Sequence, residues 1–299
     1  MLIDVHTHIP SHYENVSKDE ERYDERVRPD KLVKTTTSVA EYFEAMDPVD
    51  FAILFGIARH PLGTDYLDEL GFGANVSDSL TNVNDTTAKI VSMRPNKIIG
   101  FMSVHPDDKS VLKEVNRCKT DLNLQGIKLG PNYQNFDPFG ENAKLLYSIA
   151  ESKNLPIIFH QGTVPIAKSP LKYSYPIYMD EIASSFPQLK IVMAHMGHPW
   201  QEDCIAVIRK HPNVYSDISA QFYRPWSAYN GFRLAFEWNV MDKLLFASDW
   251  PVTTPNETIS FLNGLPDFCN HHNLPMIPVE QLEGIKHRNS LELLGLVDQ

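Results

Sequence analysis

Three short apolar runs decide how this chain folds: Gln125–Gly130 (QGIKLG), Pro156–Gly162 (PIIFHQG) and Lys190–Gly197 (KIVMAHMG). Each is too short for a helix, rich in Ile, Leu, Val or Phe, and closed by a glycine. Runs of this kind read as strands buried on both faces, because a half-exposed strand would alternate apolar with polar residues. Their first residues are 31 and 34 positions apart, the length of one strand–helix unit of roughly 30 residues. The pattern continues outward. Leu2–His8 (LIDVHTH), Val49–Gly56 (VDFAILFG) and Ile98–Val104 (IIGFMSV) precede it, and Val214–Ala220 (VYSDISA) and Leu244–Pro251 (LLFASDWP) follow.

Helix-period segments lie between the runs: Ser38–Met46 with Ser38 as N-cap, Asp85–Met93, Ser110–Lys119, Asn142–Lys153, Asp180–Phe186, Gln201–Lys210 and Ala228–Val240. Val279–Leu296 reads as a closing helix. Strand–helix alternation predicts a parallel sheet with helices outside. Eight strands most simply close as an α/β fold of the (β/α)8 TIM-barrel type, one domain over residues 1–299. The first two strand-to-strand intervals are longer, 47 and 49 residues. This places insertions at 9–36 and 57–84, near the barrel mouth. Within the first, Glu14–Lys34 carries 13 charged side chains in 21 residues, so it is a solvated segment or a lid, not core. The second contains Gly63, Gly71 and Gly73 with Tyr66 and Phe72 and is expected to shape the mouth.

Composition narrows the function classes. Lys plus Arg is 27 against 38 Asp plus Glu, a formal charge of −11. No basic stripe for nucleic acid is present, and an acidic chain has no general attraction to anionic membranes. No run of about 18 apolar residues occurs. The opening MLIDVHTHIP lacks the basic and apolar regions of a signal peptide. Cys118, Cys204 and Cys269 form no CxxC pair. The expectation is a cytoplasmic protein without disulfides, its cysteines buried as small hydrophobes.

In such a barrel the active site forms at the C-terminal ends of the strands. Strand one ends in His6-Thr7-His8, strand five in His160, strand six in His195 and strand eight in Asp249. Residues i and i+2 of a strand share a face, so His6 and His8 face inward together and supply half of a divalent-metal site. His160 adds a third nitrogen. Asp249 adds an oxygen and can take a proton. Twelve histidines in 299 residues would give about 0.5 His-x-His pairs by chance, so the weight lies on the matching residues at other strand ends.

Asp4-Val5-His6-Thr7-His8, Ile158-Phe159-His160, Ala194-His195-Met196-Gly197-His198-Pro199-Trp200 and Phe246-Ala247-Ser248-Asp249-Trp250-Pro251, with the tail at 287–296 (HRNSLELLGL), resemble the amidohydrolase superfamily. The branch most resembled is amidohydrolase family 2, TIM-barrel metal-dependent hydrolases that include lactonases and decarboxylases such as aminocarboxymuconate-semialdehyde decarboxylase. The resemblance spans essentially the whole chain. It implies that His6, His8, His160 and Asp249 hold one divalent ion, usually zinc, with manganese the alternative. It implies that His195 faces the bound water or substrate, as well as or instead of the ion, and that the protein is a homodimer acting on a small molecule. Lys128 matches the strand-four lysine that binuclear members carboxylate to bridge two metals; a pocket-lining or ion-paired lysine is the other reading.

Other candidates follow from position. Arg59 and Arg224, after strands two and seven, suit a substrate carboxylate by their forked donors, or are loop ion pairs. His105 at the end of strand three is a pocket residue or turn filler, and His198 a supporting or loop histidine. Asp4 shares the face of His6 and either orients a ligand histidine or lies in the barrel floor. Asp217 reads as structural. Trp200, Trp226 and Trp250 either stack on a planar substrate or pack. Three functions are weighed. The first is hydrolysis of a lactone, ester or amide by metal-activated water, with Asp249 moving the proton and His195 assisting. The second is non-oxidative decarboxylation of an aromatic or unsaturated acid. The third is a non-enzymatic barrel with no stoichiometric metal.

Overall fold

The structure, a computed structural model, describes residues 1–69, 71, 73 and 82–296. The eight runs form one parallel sheet in chain order: β1 (Ile3–His8), β2 (Phe51–Phe55), β3 (Ile98–Ser103), β4 (Ile127–Leu129), β5 (Ile157–Phe159), β6 (Ile191–Met193), β7 (Val214–Asp217) and β8 (Leu244–Leu245). The last seam closes onto the first strand. Val5 N–H donates to Phe246 O (3.1 Å), Asp249 N–H to His6 O (2.9 Å) and His8 N–H to Trp250 O (3.0 Å). The eight-stranded sheet therefore comes back onto itself, and the fold is the (β/α)8 barrel.

Among the described residues, eight helices cover the outside: α1 (Val39–Ala45), α2 (Val83–Met93), α3 (Val111–Thr120), α4 (Glu141–Ser152), α5 (Tyr178–Ser185), α6 (Gln201–Lys210), α7 (Pro225–Glu237) and α8 (Pro255–His271). Local chemistry sets where they start. Ser38 caps α1 in a reciprocal capping box with Glu41, and Thr254 does the same for α8 with Glu257 while Pro255 takes the first helical position. The Thr-Pro-Asn-Glu start of α8 is a readable signal that the apolar-period reading passed over. The expected closing helix Val279–Leu296 is two helices, α9 (Val279–His287) and α10 (Ser290–Leu294), because Arg288 is extended and Asn289 caps a new start.

The core has two layers. Val5, Ile53, Phe101, Ile158 and Val192 fill the barrel, with Leu291 and Leu294 of α10 in the same cluster. A larger cluster lies between strands and helices. One extra residue on β1 between Asp4 and Thr7 shifts its register against β2. Such a bulge re-aims side chains, so Val5 packs inside while His6 and His8 still reach the mouth. Thr7 points outward and pairs with Tyr42 of α1 (3.0 Å).

Regular strand structure ends earlier than expected at β6 and β8. Beyond Met193 the chain turns through His195 (φ 59°) and Met196 (φ 48°), and beyond Leu245 through Asp249 (φ 66°). Non-glycine residues rarely take these left-handed values, and the cost is met only where surrounding contacts fix them.

The first insertion makes a short antiparallel ribbon, Tyr23–Asp24 with Val33–Lys34. Between its strands, Arg28 is buried and bound to Asp30, to Glu257 at the start of α8 and to Val252 O. In the second insertion Gly73 has φ +77° and its backbone lies against His8, where a Cβ would come 2.7 Å from the ring nitrogen Nδ1. Tyr66 packs beside a small cluster that includes Tyr133. Phe72, also expected to shape this region, lies outside the described residues. All three cysteines are buried and free, and among the described residues no helix is long and apolar enough to cross a membrane.

Candidate metal and active site

The strand ends bring the predicted imidazoles and carboxylate together. Donor atoms of His6, His195 and Asp249 all lie within 4.8 Å of one another. His8 Nε2 is 3.1 Å, and His6 Nε2 3.3 Å, from Asp249 Oδ1. The His160 ring stands 5.1 Å from that of His195, centroid to centroid. The compact group of three therefore contains His195, with His8 and His160 beside it.

Hydrogen bonds fix the tautomers. His6 Nδ1 faces Asp217 Oδ2 at 2.8 Å. A carboxylate only accepts, so Nδ1 carries the proton and Nε2 offers a lone pair inward. Ser219 Oγ donates its one hydrogen to Asp217 Oδ1, so it accepts from His195 Nδ1 (2.7 Å). His195 thus also presents an Nε2 lone pair, which accepts a hydrogen bond rather than donating one. Asp217 further accepts from the backbone N–H groups of His195 (2.9 Å) and Ser219 (3.1 Å). It is an orienting group for two imidazoles. Asp4 is not: it accepts from the backbone of His6 and from Ser248, tying β1 to the strand-eight loop.

Burial sets the charge states. Desolvation holds His6, His8 and His160 well below the usual histidine value and takes His195 down to about 4. All four are neutral at pH 7, the form that binds metals. Desolvation pushes the Asp249 carboxyl up to about 7, against the lowering effect of His195 and Lys128.

Above this group lies a cavity of about 260 Å³. His8, His160, His195 and Asp249 are among its lining, with Tyr133, His198, Tyr223 and Arg224 and with Arg26 and Val27 of the first insertion. Of the predicted substrate residues, Arg224 is therefore in place. Its guanidinium lies 4.5 Å from the centre of the Tyr223 ring, and no carboxylate among the described residues pairs with it. His198 is present too. Its Nδ1 accepts from Gln201 Nε2 (3.1 Å), which leaves the proton on Nε2.

Four others are corrected. Arg59 is held by Asp65 (3.2 Å) and Asp68 (2.6 Å) and does not line the cavity. His105 has both nitrogens engaged by backbone, with Gln134 O and Asp107 N–H, and fills a turn. Trp250 packs its ring against Tyr42, because the left-handed turn at Asp249 directs the next side chain into the core. Lys128 is completely buried beneath the site, its Nζ 3.1 Å from His6 Nε2. Desolvation lowers it to about 8. It touches the ligand group rather than the substrate space. Trp200 and Trp226 also lie outside the lining. Sequence reasoning missed Tyr133 and Arg26, which carried no local signal. It also undervalued Asp217, whose signal was available: a carboxylate inside an apolar strand needs donors.

The residues fit a divalent cation. Two donors bonded at ~2.1 Å to one tetrahedral ion stand about 3.4 Å apart, close to the Asp249 separations from His6 and His8. His160 Nε2 is buried with no hydrogen-bond partner among the described residues, a costly state for a polar atom unless something binds it.

Solved structures share this architecture. An uncharacterized TIM-barrel protein from Bordetella bronchiseptica is 20% identical (TM-score 0.70; 99% of this chain and 98% of that one covered). A probable 2-pyrone-4,6-dicarboxylic acid hydrolase from Acinetobacter baumannii is 17% identical (TM-score 0.61; 98% and 99%). A dihydroxybenzoic acid decarboxylase from Polaromonas sp., solved with bound manganese and 2-nitroresorcinol, is 15% identical (TM-score 0.64; 100% and 98%). At these identities the likeness establishes the fold alone. The family model described as amidohydrolase (Amidohydro_2) matches residues 3–296, and the chain belongs to that family.

Proposed function

We propose that this chain is a metal-dependent hydrolase that cleaves a lactone, ester or amide bond in a small substrate bearing a carboxylate. One observation carries the reading: the Asp249 carboxyl lines the cavity beside three neutral imidazoles, its Oδ1 3.1 Å from His8 Nε2 and 3.3 Å from His6 Nε2, so a group that can both hold an ion and move a proton faces the substrate space. His6, His8, His160 and Asp249 would hold the ion, zinc or manganese, with His195 beside them. When bound, a divalent ion supplies Lewis acidity, polarising a carbonyl and making water a stronger acid. Asp249 takes the proton of the attacking water and returns it to the leaving group. His195, its Nε2 lone pair held inward by Ser219, accepts a hydrogen bond that orients that water. Arg224 binds the substrate carboxylate from the cavity wall.

A second reading, non-oxidative decarboxylation, is favoured by one feature. A carboxyl that shares the cavity with an arginine lacking a carboxylate partner among the described residues also suits protonation of a carbon in a bound acid. The test is a panel of lactones, esters, amides, hydroxybenzoates and muconate-type acids, with and without added zinc or manganese and with a chelator. Metal-dependent ring opening or ester cleavage supports hydrolysis. Carbon dioxide release without any hydrolysis overturns it in favour of the second reading. Turnover indifferent to chelator overturns both.

A further inference from the structure

We propose that Tyr133 is a catalytic residue, its hydroxyl donating a hydrogen bond to the substrate oxygen that gains negative charge as the bond is attacked. The proposal rests on the hydrolytic reading above.

Three observations converge. The first is an unmatched hydroxyl. Tyr133 is 2% exposed and lines the cavity, yet its hydroxyl makes no hydrogen bond to any described residue. Buried tyrosines ordinarily pair this group. The equally buried Tyr42 pairs with Thr7 (3.0 Å) and Tyr147 with Pro138 O (3.1 Å). Tyr133 differs from them in facing substrate space.

The second observation is rigidity. Tyr133 sits on the single helical turn Pro131–Gln134 that follows β4. Gln134 locks that turn, accepting from Gly130 N–H (2.7 Å) and donating to Ala58 O (2.9 Å). The tyrosine ring lies against Gly130, where any Cβ would overlap it. The His160 ring also lies beside it, 5.0 Å away between centroids. The phenol is therefore held in place before substrate arrives, which is what an oxyanion donor requires.

The third is position. Asp249 serves as the base and His195 presents a lone pair to the cavity, so neither donates, and Tyr133 lines the same cavity beside His160. The oxygen of a carbonyl whose carbon becomes tetrahedral gains charge, and a donor fixed there stabilises it alongside the ion. As charge grows on that oxygen the hydrogen bond strengthens, so its worth appears in the transition state.

The test is Tyr133→Phe, which keeps the ring packing and removes only the hydroxyl. On the best hydrolysed substrate of the panel, kcat/KM should fall by about 100- to 1000-fold, chiefly in kcat, with metal content and melting temperature unchanged. A rate within threefold of wild type overturns the proposal. A second arm needs no turnover: binding of methylphosphonate, a tetrahedral anion, to the metal-loaded proteins by calorimetry. Binding at least about 10-fold weaker in Tyr133→Phe, the worth of one charge-assisted bond, supports the assignment. Equal affinity in the two proteins, or binding to neither, overturns it. Carbon dioxide release by wild type in place of hydrolysis defeats the hydrolytic reading, and the phosphonate arm then still decides whether Tyr133 is an anion donor.

Discussion

Replacing Asp217 with asparagine isolates the step on which the site's chemistry depends, the tautomer of His6. The substitution is isosteric, and one oxygen remains to accept from the His195 and Ser219 backbone groups. The group facing His6 Nδ1 at 2.8 Å changes from an acceptor to an NH2 donor. His6 must then move its proton to Nε2, the atom aimed at Asp249 and the proposed ion, or lose the contact. A hydrogen bond to a charged partner is worth about 1.5–3 kcal/mol, which at 1.36 kcal/mol per decade predicts metal affinity about 10- to 150-fold weaker. Measured losses on removing such orienting groups, about 10- to 100-fold, fall in the same range. The assay is competition with a chromophoric chelator, with thermal unfolding measured in parallel. The expected result is a large loss of affinity with a change in melting temperature of only a few degrees. Affinity within about threefold of wild type, whatever happens to stability, refutes the tautomer argument.

Metal affinity should itself rise between pH 6 and 8. The proposed ligand Asp249 titrates at about 7 without metal, and Lys128, whose ammonium donates to the His6 Nε2 lone pair, at about 8. Both protons oppose binding at low pH, so calorimetry in buffers of different ionisation enthalpy should record proton release. A pH-independent affinity contradicts this. Arg28→Gln should loosen the first insertion from Glu257 and Val252. The expectation is a melting temperature lower by about 2–4 °C per kcal/mol lost and a raised KM, since Arg26 and Val27 line the cavity; an unchanged KM counts against the insertion as part of the binding wall. Stability should fall on acidification. Burial takes His198 from 6.5 to about 4, and Arg117 holds Glu114 at about 2. For both, the unfolded chain binds the proton first as pH falls, so stability is full above the unfolded value and is lost towards the folded one. Melting temperatures that stay flat from pH 7 to 3.5 contradict that sign.

The fold was legible because the eight runs carry the apolar signature of strands buried on both faces, at intervals that admit one helix each. The imidazoles were legible because strand ends in such a barrel converge. What escaped depends on contacts between distant segments. The left-handed turns at His195 and Asp249 are set by hydrogen bonds across the mouth, and with them Trp250 packs in the core rather than stacking on a substrate. Arg59 and Arg224 look alike in sequence. Only the acids around Arg59, supplied by its own loop, separate them. Tyr133 sits in a turn marked in sequence by Gly130-Pro131, which says nothing of the side chain two residues on, and the space beside Gly130 is taken by the Tyr133 ring.

The most direct measurement is anomalous diffraction from crystals of the purified protein, recorded at the zinc and manganese edges. The account predicts a single peak about 2.0–2.3 Å from His6 Nε2 and from Asp249, with further nitrogens from the neighbouring histidines. A peak elsewhere, or none there in fully active protein, contradicts it.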